Sequence, residues 1–148
     1  MDLKIKLLSP LMGEKVNIPF YASEGAAGMD LAACIDEDIV LGPMERVHIP
    51  CGFALQIPKG YAGFVYPRSG LATRLGVTLP NAVGVIDSDY RGELVCALIN
   101  LSGEDYRVVQ GERIAQLVIS PIEVCSVLVC DDLDETKRGG GGFGSTGS

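Results

Sequence analysis

Short runs of alternating apolar and polar residues, broken by Gly, Pro, Asn or Asp, fill most of the chain, the period-2 pattern of half-buried strands. Leu3, Ile5 and Leu7 alternate with Lys4 and Lys6 and predict a first strand over residues 3–8. Residues 38–49 predict a strand pair around Gly42-Pro43. Phe53, Leu55 and Ile57 alternate until Pro58 stops them, and residues 60–66 form a further short strand. Residues 81–95 read as two strands joined at a polar turn, 87–92. Residues 95–99 and 106–109 follow, joined by a turn at Ser102-Gly103. Gly111 opens the strand holding Ile114, Gln116 and Val118, and residues 124–129 predict the last. Strands recurring every 8–12 residues predict an all-β sandwich or barrel.

Two stretches depart from that rhythm. In Pro67-Arg68-Ser69-Gly70-Leu71-Ala72-Thr73-Arg74-Leu75-Gly76, Ser69 is a good N-cap, Leu71 and Leu75 stand at i and i+4, and Gly76 is a good stop. It predicts one short helix whose start, with Arg68 and the Ser69 hydroxyl, makes an anion site. From residue 131 the pattern lapses altogether. An acidic linker (Asp131, Asp132, Asp134, Glu135) leads to Lys137-Arg138 and a glycine-rich run holding Phe143, Ser145 and Thr146. Such a composition predicts a flexible arm. Residues 1–130 thus read as a β-barrel domain and 131–148 as linker and arm.

The chain has 148 residues, enough for one core. A net charge of -7 argues against wrapping a nucleic-acid polymer, which takes many Lys/Arg–phosphate contacts. A small polyphosphate needs only a few local cations. No apolar run approaches a membrane span and the start lacks a signal-peptide layout, so a cytoplasmic location is expected. Cysteines 34, 51, 96, 125 and 130 form no Cys-x-x-Cys and read as buried reduced thiols. His48, the only histidine, reads as structural, and a His/Cys zinc cage is not expected.

Candidate chemistry gathers in the turn of residues 87–92. A turn needs one Asp or Asn to bond its own backbone. Here Asp87, Asp89, Tyr90 and Arg91 crowd into five residues. In Gly25-Ala26-Ala27-Gly28-Met29-Asp30-Leu31-Ala32-Ala33, small residues surround one acid and allow close backbone approach. Gln116 shares an apolar face and should have a partner.

Five segments, in identity and order, resemble the motifs of the trimeric deoxyuridine triphosphatase (dUTP diphosphatase) family. They are Ala27-Gly28-Met29-Asp30-Leu31, Pro67-Arg68-Ser69-Gly70-Leu71, the 81–94 segment, Gly111-Glu112-Arg113-Ile114-Ala115-Gln116, and residues 138–147. One departure is Met29, where the family commonly has tyrosine, a difference expected to touch packing more than chemistry.

The resemblance implies a jelly-roll-like β fold, a homotrimer with sites at subunit interfaces, and hydrolysis of dUTP to dUMP and pyrophosphate with Mg²⁺ on the triphosphate. That reaction supplies dUMP for thymidylate synthesis and keeps uracil out of DNA. Asp87 matches the general base that orients water for attack on the α-phosphorus. Arg68, Ser69, Gly70 and Gln116 match phosphate binders, and Asp30 the acid that holds the metal through its waters. Asn81 and the backbone of Val85, Ile86 and Val95 match the uracil pocket, and Tyr90 the ring under the deoxyribose. Phe143 matches the arm aromatic that covers uracil, with Arg138, Ser145 and Thr146 near the phosphates. A dCTP deaminase shares this fold, but its usual Asp-Pro-Gly after the isoleucine is replaced by Asp87-Ser88-Asp89. A trimeric β scaffold without catalysis is the third reading, and the intact acid and arm argue against it.

Overall fold

A computed structural model describes residues 1–142. The chain is all-β, with a single helix among the described residues, as a jelly-roll-like architecture requires. A four-stranded sheet has the order β1 (Lys4–Leu7), β5 (Arg46–Gln56), β9 (Glu93–Asn100), β7 (Val77–Thr78). A five-stranded sheet runs β2 (Phe20–Tyr21), β3 (Met29–Ala32), β11 (Arg113–Pro121), β6 (Tyr61–Pro67), β8 (Gly84–Ile86). Strands β4 (Ile39–Leu41) and β10 (Tyr106–Val108) make a third, two-stranded sheet. All strand pairs are antiparallel.

One apolar cluster draws on all three sheets, with Phe53, Ile49 and Leu98 from the first, Leu31, Ile114 and Leu117 from the second, and Leu41 and Val108 from the third. Met29 is buried within it, in keeping with a packing role. The strands expected over 3–8 and 60–66 appear as β1 and β6. Residues 46–56 form one long strand bent by a bulge between Pro50 and Ala54. Gly52 sits in that bulge at φ 77, where a Cβ would lie 2.5 Å from the Cys34 sulfur and 2.9 Å from that of Met12. Both the backbone and the space demand glycine.

Several expectations about pairing are corrected. The strands flanking Gly42-Pro43 do not pair with each other, since β4 joins β10 and β5 joins β1 and β9. Residues 81–95 do not form a hairpin either. Strand β8 pairs with β6, whereas β9 pairs with β5, so the segment crosses from one sheet to the other. Each strand thereby reaches a partner carrying core residues. Ser69 is the first residue of the helix α1 (Ser69–Leu75), not its cap. Arg68 occupies the cap position with no side-chain bond to the helix start, while Gly76 closes the helix in the left-handed conformation, φ 68.

Residues 124–129 form no strand, and Val124, Val127, Leu128 and Val129 are all at least 86% exposed. Their apolar content is β-like, but among the described residues no strand edge receives them. Cys125 and Cys130 are therefore exposed, contrary to the buried-thiol reading, which holds for Cys34, Cys51 and Cys96. The sulfurs of Cys51 and Cys96 lie 3.6 Å apart across β5 and β9. That contact and burial push the Cys51 thiol well above its ordinary range. Among the described residues no helix is long and apolar enough to cross a membrane.

Asn100 is the fully buried polar residue that ties the third sheet to the first. Its amide donates to the carbonyls of Leu41 (2.9 Å) and Glu104 (2.7 Å). Its oxygen accepts from the Ser102 N–H (2.9 Å) and hydroxyl (2.7 Å). Asn100→Leu keeps the side chain's branched shape but removes the partner of the Leu41 carbonyl and of the Ser102 N–H, at about 1–3 kcal/mol for each group left unpaired, while the Glu104 carbonyl keeps the Ser102 hydroxyl. We expect roughly 3 kcal/mol of lost stability in urea unfolding, and a loss below about 1 kcal/mol would show that water replaces the amide.

Candidate active site

Because β8 and β9 part into different sheets, a cleft opens between them. The cavity there measures about 240 Å³ and is lined by Asn81, Val85, Ile86, Asp87, Tyr90 and Val95, with Leu79, Glu93 and Cys96 among the others. Strand β8 is the last of its sheet, and β7 covers β9 only at Ile99 and Asn100. Among the described residues each strand thus has an unpaired backbone edge beside the cavity, a row of fixed donors and acceptors. Ala82 at φ 60 turns the chain into it, a conformation costing on the order of 1 kcal/mol for a residue with a Cβ. The Asn81 amide nitrogen lies close over Gly84, where a Cβ would come within 3.3 Å of it. Asp87 is exposed at the margin. The Tyr90 hydroxyl donates to the Glu93 carbonyl at 2.9 Å, and the Arg91 guanidinium donates to the carbonyls of Ser88 (2.8 Å) and Tyr90 (2.7 Å). The loop is tied to itself and holds the tyrosine ring in one place.

A second cavity, about 300 Å³, is lined by Asp30, Arg68, Ser69, Gly70, Arg113 and Gln116, together with the small residues Ala22, Ala26, Ala27 and Gly28. Its centre is the Asp30 carboxylate, which carries two guanidinium groups: Arg68 on Oδ1 at 3.1 Å and Arg113 on Oδ2 at 2.9 Å. Arg68 is pinned again by donating to the Arg113 carbonyl at 3.0 Å. Two cations on one anion leave the cavity with an excess positive charge suited to a phosphate chain. Gln116 finds its partner by donating to the Pro67 carbonyl at 3.0 Å, which fixes the start of the Arg68–Gly70 loop. Gly28 admits that amide, since a Cβ would stand 3.1 Å from its oxygen. Behind the cluster the Tyr106 hydroxyl donates to Glu112. Burial and that bond push the hydroxyl's pKa up, against the pull of Arg68.

The two cavities share no lining residue. Ile86 pairs with Gly63 near one end of β6, and Arg68 follows Pro67 at the other. Continuing the register sets Asp87 opposite Ala62, six residues from Arg68. At about 3.3 Å per residue, Asp87 and Arg68 stand roughly 20 Å apart along the sheet.

The dUTPase family model matches residues 14–147. The chain belongs to the dUTPase family. It is 47% identical over 147 residues to the deoxyuridine 5'-triphosphate nucleotidohydrolase of Desulfitobacterium hafniense (strain DSM 10664 / DCB-2), covering 99% of this chain and 97% of that protein. The enzyme of the same name from Syntrophotalea carbinolica is 51% identical over 147 residues, with the same shares covered. The fold also matches a Staphylococcus bacteriophage 80alpha dUTPase with dUpNHpp, at a TM-score of 0.87 and 29% identity, over 99% of each chain.

Within this dUTPase-family chain the residues expected at a base and sugar line one cavity, and those expected at phosphates line the other. Arg138 lines neither; it is exposed and donates to the Gly141 carbonyl at 2.8 Å. Phe143, Ser145 and Thr146 lie outside the described residues. Arg113, quoted only as part of its motif, was missed as a site residue. No local signal marked it, since the β3–β11 register, with its irregularity between Arg113 and Ala115, is what sets it beside Asp30. Leu79 and Glu93 carried none either.

Arg68→Lys keeps the charge but cannot hold Asp30 and the Arg113 carbonyl with one fork. We expect calorimetry to show about tenfold weaker binding of inorganic triphosphate, the loss of one ~1.4 kcal/mol contact. Unchanged affinity would mean that charge alone holds the anion.

Proposed function

We propose that this chain hydrolyses dUTP to dUMP and pyrophosphate as a homotrimer, each active site being completed across a subunit interface. The observation that carries the reading is the pair of unpaired strand edges over a cavity with Asp87 at its margin. A flat pyrimidine can bond those fixed backbone groups, and a cytosine, with its donor and acceptor exchanged, would leave buried partners unsatisfied. Asn81 and the backbone of Val85, Ile86 and Val95 take uracil in this reading, and Tyr90 lies under the deoxyribose, where a 2′-hydroxyl would collide.

The α-phosphorus must meet both the water held by Asp87 and the cations at Arg68. A triphosphate is far shorter than the roughly 20 Å between those residues in one chain. The site therefore takes Asp87 from one subunit and Arg68, Ser69, Gly70 and Gln116 from another. The exposed apolar residues Val124, Val127, Leu128 and Val129 support assembly, because an exposed cluster of that kind seeks a partner surface. Residues 131–148 act as a lid, bringing Phe143 to uracil and Arg138, Ser145 and Thr146 to the phosphates.

Asp87 orients water and accepts its proton at a carboxylate oxygen as attack begins. A carboxylate is a modest base, so most of the acceleration comes from positioning and from charge stabilisation by Arg68, Ser69 and Gln116. Mg²⁺ fits as an outer-shell guest. Both Asp30 oxygens already accept guanidinium N–H groups, and among the described residues no three acidic, His or Cys side chains converge as a cage. An ion that keeps its waters and rides on the triphosphate is compatible with such a site. When bound, it neutralises phosphate charge and helps pyrophosphate leave. The chain then belongs to cytoplasmic nucleotide metabolism, where dUMP feeds thymidylate synthesis and dUTP is kept from DNA.

Pyrophosphate release from dUTP with Mg²⁺ tests the proposal, with dCTP as the control. We expect release from dUTP and no ammonia from dCTP. Asp87→Asn should keep the fold and bind dUTP while turnover falls by about 10²–10⁴-fold. Near-normal turnover in that variant would remove Asp87 from the mechanism.

A further inference from the structure

The loop that carries Tyr90 contains a glycine whose absence of side chain its backbone does not explain. Gly92 does not adopt a left-handed φ, unlike Gly52, Gly60 and Gly76, so its backbone is open to any residue. What a side chain would meet is the ring of Tyr90. A Cβ built on Gly92 collides with the hydroxyl oxygen and lies 2.5 Å from Cζ and 2.9 Å from Cε2. Carbon atoms pack at about 3.5–4.0 Å, so the two cannot coexist. The ring is folded back over the Gly92 backbone and latched by the bond from its hydroxyl to the Glu93 carbonyl, 2.9 Å, one residue further on.

We propose that Gly92 is a positioning residue for sugar selectivity: by leaving the space under Tyr90 empty, it lets the ring lie at the height that admits deoxyribose and refuses ribose. The proposal rests on the reading of Tyr90 as the platform under the sugar. Any side chain at position 92 lifts the ring, because a half-exposed aromatic at the end of two rotatable bonds yields before a strand end does. Tyr90 is 44% exposed, whereas Leu94, two residues beyond Gly92, is 3% exposed. A lifted ring also loses the Glu93 carbonyl as its latch. The consequence is selective. The fold and the Asp87 carboxylate stay in place, and the platform alone shifts.

The experiment compares kcat/KM for dUTP and UTP in the wild type, Gly92→Ala, Tyr90→Ala and the double variant. Tyr90→Ala should lower the dUTP/UTP ratio by about tenfold or more, and Gly92→Ala should lower it comparably through a rise in KM for dUTP. In the Tyr90→Ala background, Gly92→Ala should change nothing further, since the two act on one ring. A wild-type ratio in Gly92→Ala beside a lowered one in Tyr90→Ala overturns the role of Gly92 and leaves the platform standing. An unchanged ratio in Tyr90→Ala sinks the platform itself. If Gly92→Ala melts early, the double variant must melt where Tyr90→Ala does. A double variant that stays destabilised places the clash in the backbone and also overturns the proposal.

Discussion

Seven consecutive residue pairs lock β6 to β11, from Ala115 opposite Pro67 to Pro121 opposite Tyr61. The other edge of β6 holds β8 in register through Gly63, Phe64 and Val65. With partners on both sides the strand cannot slip, because a shift of one residue would turn its buried side chains, Ala62 and Val65 among them, to new surroundings. The strand fixes the separation of the two chemical centres. One end delivers Arg68 to the Asp30 carboxylate, and the other sets Asp87 beside the cleft between the sheets. No local adjustment within the chain brings them together, so the proposed reaction makes assembly a condition of function.

Each centre is built by a different device. The cavity proposed for phosphates relies on charge: one mostly buried carboxylate orders two guanidinium groups, and a carbonyl and an amide hold the turn that carries one of them. Small residues at positions 26–28 keep that cavity open to backbone approach. The base side relies on what is left unbonded. Strand edges are ordinarily a hazard to a β protein. Here two of them face a cleft, where in the proposed function their bonding capacity serves recognition. The same logic explains the emptiness at Gly92, which gives the Tyr90 ring its resting place.

Which segments become strands was legible, because alternation and turn residues are local properties. The helix, its glycine stop and the grouping of candidate residues into motifs were legible on the same grounds. Pairing was not. The 81–95 segment has the alternation of a hairpin, yet its arms find better-packed partners in separate sheets, a choice made by the whole core. Residues 124–129 have strand composition, but a strand also needs an edge, and no edge among the described residues accepts it. Exposure of Cys125 and Cys130 follows from that alone. Arg113 was passed over because only the β3–β11 register reveals Asp30 beside it. Gly92 drew no reading of its own, because the ring above it is visible only in three dimensions.

The central claim is that each chain carries two halves of a site that only neighbouring chains can join. Complementation tests it most directly. Arg68→Ala and Asp87→Asn chains, each inactive alone, are dissociated together in equal amounts and reassembled. Random mixing in a symmetric trimer gives about one site in four an intact Arg68 and an intact Asp87 from different chains, so about a quarter of wild-type dUTP turnover should return. A reassembled mixture no more active than its two parents would contradict the account.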